Sequence, residues 1–326
     1  MGYRKILWYL CFIIFISCKN EPEINPIIDA GLTEITERIA RNPTVDSLYF
    51  IRAERNYNLA HFDEAITDLK YAIQLDSLNA LYYHLLADAL LDNNQSFEAL
   101  NTMKEAARVF PGRIQTLLKL AEYQNILKQY DESIKTTLQV LSVDPLHAEG
   151  YLMIGLNYRD LKDTANAILS LQKATTYDDK MADAWLLLAQ LNKFKDQVYA
   201  TRCLTNAYNI DTNSIQTLHA IADFYQDQDP LKAISCYEKI ISLDPSYIDA
   251  IINVGIVYFS IDSFSKALDH FTIACERDPS NALFYFRRGT VKEAINDLEG
   301  AKTDYQIAIR LAPENKHYIQ ALTQLK

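Results

Sequence analysis

The chain has 326 residues, 49% of them hydrophobic and 23% charged, which are globular proportions that exclude an intrinsically disordered chain. Its 8 glycines and 9 prolines fall well below the roughly 23 and 16 of average usage, which argues against sheet-rich and dinucleotide-binding folds and predicts an almost entirely helical protein. The net charge of −10 disfavours a nucleic-acid partner, because phosphate recognition needs a basic face.

The first 17 residues have the pattern of an export signal. Arg4 and Lys5 precede an apolar run from Ile6 to Ile16, which as a helix would extend about 16 Å, roughly half of a bilayer's hydrocarbon core. This run is too short to span a membrane, so residues 1–17 are predicted to be a cleaved signal peptide.

Residues Phe15-Ile16-Ser17-Cys18 resemble a bacterial lipobox, with Phe15 where leucine is commonest. The resemblance implies that Cys18 carries a lipid and becomes the mature N-terminus. The alternative is a cysteine that lies near a cleavage site by chance. Lys19 after the cysteine implies the outer membrane, on its periplasmic or its external side. Residues 18–26 are then the lipidated cysteine and a polar tether.

The remaining sequence is periodic. Pro111 and Pro145 are 34 residues apart, and Pro245, Pro279 and Pro313 follow one another at the same interval. Aligned on this period, residues 46–315 give eight repeats, which begin at residues 46, 80, 114, 148, 182, 215, 248 and 282; repeats 5 and 6 are each one residue shorter. Residues 27–45 and 316–326 are predicted to be capping helices that cover the two ends.

Small residues recur at two positions of the frame, where two helices would pack closely. The eighth position holds Ala53, Ala87, Ala121, Gly155, Ala189, Ala222, Gly255 and Gly289. The small site on the second helix holds Ala65, Ala99, Ser133, Ala167, Ala200, Ala233, Ala267 and Ala301. With the period and the prolines, this pattern resembles the tetratricopeptide repeat family. The resemblance implies an all-α solenoid, a right-handed superhelix of about eight helix-turn-helix repeats.

In that family a partner binds in a concave groove lined by the first helix of each repeat, helix A. The resemblance implies that positions 2, 5, 9, 12 and 13 of each repeat line the groove. The candidate groove residues among them are Phe50, Glu54, His84, Asp88, Glu122, Leu152, Arg159, Leu186, Gln190, Phe194, His219, Asp223, Asp227, Ile252, Ile256, Phe259 and Phe286. Their carboxylates and apolar groups predict a protein or peptide partner with basic and hydrophobic anchors. The alternative is that the apolar members belong to the core and the acidic members are an ordinary solvated face.

Other site chemistries find little support in the sequence. No repeat has Lys at position 5 with Asn at position 9, the pair with which chaperone-binding members of the family clamp a C-terminal carboxylate. We found no zinc-protease, nucleophile-elbow or phosphate-loop motif, so the chain is expected to be neither an enzyme nor a cofactor or metal protein. Cys203, Cys236 and Cys275 are expected to be free thiols.

The sequence therefore predicts a non-catalytic interaction scaffold, lipid-anchored in the bacterial cell envelope. A rival hypothesis is an accessory or chaperone-like subunit of an envelope machine for secretion, cell-wall assembly or glycan uptake.

Overall fold

The computed structural model of the chain describes residues 26–325, with side chains from residue 31 onward. The predicted signal peptide, Cys18 and most of the tether lie outside the described residues. Between residues 26 and 325 the secondary structure consists of 18 α-helices and contains no strand, so the all-α prediction is confirmed.

The helices follow one another at short, regular intervals. They are α1 (Pro26–Arg41), α2 (Asp46–Asn58), α3 (Phe62–Leu75), α4 (Ala80–Asp92), α5 (Ser96–Val109), α6 (Ile114–Ile126), α7 (Tyr130–Val143), α8 (Ala148–Asp160), α9 (Thr164–Tyr177), α10 (Ala182–Asn192), α11 (Gln197–Ile210), α12 (Ile215–Tyr225), α13 (Pro230–Leu243), α14 (Ile248–Ser260), α15 (Phe264–Arg277), α16 (Ala282–Ala294), α17 (Leu298–Leu311) and α18 (Lys316–Gln324).

The chain divides into two compact units, residues 1–116 and 117–326. The N-terminal unit contains α1 to α5 and the start of α6, and the C-terminal unit contains the rest of α6 and α7 to α18. In the N-terminal unit α2 packs against α3, and α3 against α4. In the C-terminal unit helices from α8 to α18 pack against their neighbours in sequence in the same way. This is the helix-turn-helix arrangement that the 34-residue period predicts.

Close contact between the two helices of a repeat depends on the small residues at the eighth position. Gly155 of α8 and Gly289 of α16 are buried. A β-carbon added to Gly155 would lie 2.7 Å from Leu171 Cγ, and one added to Gly289 would lie 2.7 Å from Tyr305 Cε1. Both distances are too short for a carbon–carbon contact, so the absence of a side chain sets how near the helices approach.

The turns that lead from one repeat to the next are closed by aspartate. The residue after the second helix accepts a hydrogen bond from the backbone N–H two residues on, an Asx turn that accompanies or replaces the periodic proline. These turn aspartates are Asp76, Asp144, Asp178, Asp211, Asp244 and Asp278.

An aromatic residue at the fourth position of a repeat fastens the same turn from the other side. Tyr49, Tyr83 and Tyr151 donate their hydroxyl groups to the backbone carbonyl six residues earlier, at 3.0, 3.3 and 3.2 Å. Trp185 donates its indole N–H to the carbonyl of Asp179 at 2.9 Å. These four side chains therefore serve as hydrogen-bond donors to the turns between repeats.

The turns inside the repeats are of two kinds. In the 34-residue repeats a residue other than glycine takes a positive φ between the two helices, and these residues are Ala60, Asn94, Lys128, Lys162, Asp262 and Asn296. Repeats 5 and 6 do without such a residue, because their first helices, α10 and α12, have 11 residues where the other first helices have 13. The single-residue deletions therefore lie at the ends of α10 and α12. In repeat 6 Asp229 caps α13 and Pro230 occupies its first turn.

One further helix lies at each end of the repeats, α1 with 16 residues and α18 with 9. In α1 the side chain of Ile35 is buried, and in α18 the ring of Tyr318 is buried. The ring of Tyr318 lies 4.7 Å from that of Phe286, centroid to centroid, so α18 covers apolar surface of repeat 8. Within the described residues no helix is both long enough and apolar enough to cross a bilayer.

Candidate partner-binding face

In the N-terminal unit the predicted groove residues differ in how far they are already engaged. The ring of Phe50 packs against Tyr82 at 5.1 Å between centroids. His84 is half-buried, with Nε2 3.0 Å from Thr116 Oγ1. Asp88 is also half-buried, whereas Glu54 is exposed. Only the carboxylate of Glu54 therefore lies fully open on this face of repeats 1 and 2.

In the C-terminal unit most of the apolar groove residues serve the core. Ile252 is 8% exposed and belongs to a buried cluster with Val254 and Phe271. Ile256 and Phe259 pack against the same cluster. The structure thus corrects the prediction for Ile252, because a side chain buried between helices offers no surface to a partner.

Three further apolar members of the set are also engaged within the protein. Leu152 and Leu186 are partly buried against a second core cluster, formed mainly by repeats 4 to 6. The ring of Phe286 lies 5.5 Å from that of Tyr305 and 4.7 Å from that of Tyr318. For these residues the core interpretation left open by the sequence describes the contacts better than the groove interpretation.

Phe194 is the exception among the apolar candidates. It follows α10 and is 93% exposed, more than any other large hydrophobic residue in the described part of the chain. Lys193 Nζ lies 5.7 Å from the centre of the Phe194 ring and donates a hydrogen bond to the backbone carbonyl of Asp223 at 2.9 Å. Lys193 therefore connects the exposed ring of Phe194 with the backbone of repeat 6.

The polar members of the set in the C-terminal unit lie on or near the surface. Gln190 and Asp227 are exposed, and Glu122 is half-buried. Arg159 is half-buried and forms an ion pair with its neighbour Asp160, Nε to Oδ1, at 2.8 Å. This pair removes Arg159 as an isolated positive charge on the face.

His219 and Asp223 form the most elaborate polar group on this face. Asp223 accepts a hydrogen bond from Tyr237 OH at 2.7 Å, and His219 Nδ1 lies 3.3 Å from the other carboxylate oxygen. Asn253 Nδ2 lies 3.2 Å from His219 Nε2. The hydrogen bond to Asp223 raises the pKa of His219, while burial acts in the opposite direction. Burial tends to raise the pKa of Asp223, but the hydrogen bonds from His219 and Tyr237 outweigh it and lower the pKa.

The pairing of His219 with Asp223 was outside what the sequence analysis anticipated. The two residues are four positions apart on α12, which is a signal for a same-face pair that the repeat alignment did not use. Tyr237 and Asn253 come from α13 and α14, so only the folded arrangement brings them to the pair.

Other chemistries remain without a site in the part of the chain described. No group of three or more His, Cys, Asp or Glu side chains in residues 26–325 is arranged to hold a metal ion. Cys203, Cys236 and Cys275 are free thiols, as predicted. Burial raises the pKa of Cys203 and of Cys275 to about 11, so both are protonated and unreactive near neutral pH.

Comparison with solved structures finds the same architecture in other proteins. One is the APC/C hetero-tetramer Cut9–Hcn1, with a TM-score of 0.55 at 13% identity over 91% of this chain and 59% of that chain. Another is a tetratricopeptide repeat protein of Parabacteroides merdae, with a TM-score of 0.52 at 15% identity over 75% of this chain and 97% of that chain. The fold is thus that of an α-solenoid of helix-turn-helix repeats.

Sequence comparison agrees. The family model described as tetratricopeptide repeat matches residues 148–181, which are repeat 4 of the frame. Human Superkiller complex protein 3 is 24% identical over 90% of this chain, and the BBSome complex member BBS4 homolog of Drosophila melanogaster is 23% identical over 89%. The chain spans only 21% and 62% of the length of these two relatives. Repeat 4 of the chain thus matches the tetratricopeptide repeat model, and the fold is the one found in a solved tetratricopeptide repeat protein.

Proposed function

We propose that this chain is a non-catalytic scaffold of the bacterial cell envelope, which binds a protein or peptide partner on its helix-A face. A lipid on Cys18 would anchor it in the outer membrane. The observation that carries the proposal is the surface of repeats 5 and 6, where Lys193 lies against the exposed ring of Phe194 and binds the backbone carbonyl of Asp223, whose carboxylate is half exposed. An exposed aromatic ring and an oriented carboxylate are complementary to a hydrophobic anchor and a basic anchor on a partner.

Site-specific photocrosslinking tests where the partner binds. A benzophenone amino acid replaces Gln190, which is exposed on α10, and in a matched control it replaces Gln139, which is exposed on the second helix of repeat 3. We expect a discrete crosslinked species from position 190 that Asp223→Asn and Phe194→Ala both diminish, and none from position 139. Identical products from both positions would contradict binding on the helix-A face.

The anchor is tested separately. Cells that produce the full chain are labelled with radioactive palmitate, and the wild type is compared with Cys18→Ala. The lipid-anchor proposal expects label and outer-membrane fractionation for the wild type and loss of both for the variant. A variant that still fractionates with membranes as the wild type does would show that something other than lipid on Cys18 holds the chain there.

A second candidate function is a subunit of a larger envelope assembly, such as one for secretion, cell-wall assembly or glycan uptake. Its support is that the relatives named above are called members of complexes, the Superkiller complex and the BBSome. Quantitative crosslinking and capture from membranes separates the two candidates. Recovery of one enzyme or secretion component in a fixed ratio to this chain would favour the assembly subunit, and recovery of various partners in variable amounts would favour the general scaffold.

A further inference from the structure

In the hydrogen-bonded group around His219, the carboxylate of Asp223 faces solvent and the imidazole of His219 lies behind it. Asp223 keeps 51% of its side chain exposed, whereas His219 keeps 25%. Tyr237 OH binds one oxygen of Asp223 and His219 Nδ1 faces the other, so the carboxylate is fixed in orientation while its outer edge stays accessible. A carboxylate fixed in this way requires little reorganisation to receive a cationic side chain.

His219 is held equally firmly on its other side. The rings of Tyr237 and Tyr247 pack against the imidazole in edge-to-face geometry, with centroid distances of 5.6 and 6.2 Å. The side-chain amide of Asn253 lies 3.2 Å from Nε2. When Nε2 carries no proton, the Asn253 amide nitrogen donates to it. When Nε2 is protonated, the Asn253 amide oxygen can accept from it after a rotation of the amide, so the packing tolerates both charge states.

The charges that face this pair come from each of the surrounding elements. Asp223 lies on the same helix as His219, Tyr237 on α13, Tyr247 in the turn before α14, and Asp249 on α14. From the end of α10, Lys193 lies near Asp223 and binds its backbone carbonyl. Asp223 and Asp249 each carry a negative charge and Lys193 carries a positive one, so the site has a net negative charge while the imidazole of His219 is neutral.

Protonation of His219 changes the net charge directly beside the carboxylate of Asp223. Because a carboxylate can only accept, Nδ1 is the donor to Asp223 in both charge states, and the proton gained on acidification goes to Nε2. The resulting imidazolium lies directly against Asp223 and neutralises it. A lysine or arginine of a partner would then meet an ion pair instead of a carboxylate that lies against a neutral imidazole.

We propose that Asp223 receives a lysine or arginine side chain of the bound partner and that protonation of His219 competes with this cation, so that acidification releases the partner. This inference rests on the proposed function, because it assigns the basic anchor of the partner to one residue and adds a control by pH. Proton binding and partner binding are then linked, and by reciprocity each weakens the other by the same factor. The hydrogen bond to Asp223 raises the pKa of His219 above its ordinary value near 6.5.

The test uses peptides that have no titratable acid or histidine. A random 12-residue phage library is panned at pH 8.0 on the full chain in detergent, and the strongest binders without Asp, Glu or His are synthesised. Their dissociation constants are measured at pH 8.0 and 5.5 for the wild type, for Asp223→Asn and for His219→Gln. His317→Gln, which alters an exposed histidine on α18, is the matched control.

We expect the recovered peptides to contain Lys or Arg and to bind the wild type about tenfold more weakly at pH 5.5 than at pH 8.0. His219→Gln should abolish this difference between the two pH values. His317→Gln should retain the difference, and Asp223→Asn should weaken binding at pH 8.0. By reciprocity, peptide binding should lower the pKa of His219, followed by NMR, by about one unit.

The outcomes separate the inference from the proposed function. Peptides that bind through Phe194 and Asp223 with the same pH dependence in the wild type and in His219→Gln would overturn the inference alone. The same conclusion follows if bound peptide leaves the pKa of His219 unchanged. If no peptide binds the helix-A face at either pH, the proposed function and the inference are both wrong. Circular dichroism of each variant shows that loss of binding is not loss of fold.

Discussion

At the scale of single residues, hydrogen bonds to the turns between repeats do more than the repeat pattern suggests. The polar atom of the aromatic residue at position 4 reaches the carbonyl of the preceding turn in repeats 1, 2, 4 and 5. A donor at a fixed distance from the turn sets the register between successive repeats. An alignment of the repeats compares the sizes of side chains. The hydrogen-bond partner of a hydroxyl group is seen only in the structure.

The contribution of this hydrogen bond can be measured with a matched pair. The Tyr151 hydroxyl donates to the backbone carbonyl of Pro145. The hydroxyl of Tyr285, at the equivalent position of repeat 8, forms no hydrogen bond with the described residues. We expect Tyr151→Phe to lower the free energy of unfolding by about 1 kcal/mol and Tyr285→Phe to change it by less than about 0.5 kcal/mol. Urea denaturation of both variants measures the difference, and equal effects would mean that the hydroxyl contributes nothing specific at the turn.

His219 makes the stability of the protein depend on pH. Its pKa is raised in the folded state, so its contribution to stability is fully present below about pH 6.5 and is lost as the pH rises through the raised folded value. The lowered pKa of Asp223 gives stability that is lost only in acid, well below pH 5.5.

We therefore expect His219→Gln to lower the unfolding free energy more at pH 5.5 than at pH 8.0. The difference should be less than about 1 kcal/mol, because both side chains are partly exposed. Urea denaturation at the two pH values measures it, with His317→Gln as the control. A larger loss at pH 8.0 than at pH 5.5 would reverse the assigned direction of the pKa shift.

At the scale of helices, the 34-residue frame was almost sufficient to predict where each helix lies. Prolines, small residues and bulky residues recur at fixed positions because each helix pair has to solve the same packing problem. The frame could not place the two deletions, which the structure locates at the ends of α10 and α12. Nor did it reveal that the turns inside the 34-residue repeats put residues such as Lys162 at positive φ, since glycine is absent from all of these positions.

Three glycines at the eighth position allow a graded test of helix packing. An added β-carbon would lie 2.7 Å from the nearest atom at Gly155, but 3.1 Å at Gly255, where it meets the edge of the Phe271 ring. Alanine favours a helix by about 1 kcal/mol over glycine, and a forced contact in a packed core costs about 1–3 kcal/mol. Gly155→Ala should therefore destabilise the protein. Gly255→Ala should leave its stability nearly unchanged, or lower it less than Gly155→Ala does. Thermal unfolding measures both, and an equal or reversed order would contradict control by close contact.

At the scale of the whole molecule, much of the acidic excess belongs to the architecture. Aspartates close turns between repeats and cap helices such as α9, α11, α13 and α17. Part of the net charge of −10 therefore reflects the number of turns and caps and says nothing about a partner. The acidic residues informative for binding are those on the helix-A face, such as Asp223 and Asp227.

Repeat proteins of this kind are stabilised by contacts between neighbours, so a change at one end should act locally. Deletion of residues 316–326 removes α18 and with it the ring of Tyr318 that covers Phe286. We expect faster amide hydrogen exchange in α16 and α17, whereas α2 and α3 should exchange as in the full chain. Faster exchange throughout both units would show instead that the protein unfolds as one cooperative body.

The sequence by itself determined the fold class, because a period, a small residue and a turn signal repeated along the chain leave only one packing solution. It also narrowed the candidate face to one set of helix positions. Only the tertiary structure decided which of these positions are open to a partner. Ile252 and Phe194 look equally apolar in the sequence, but neighbouring helices bury the first, and the short end of α10 leaves the second exposed. In the same way, the orientation of Asp223 depends on Tyr237 and His219, and on Asn253 behind the ring, which come from three different helices.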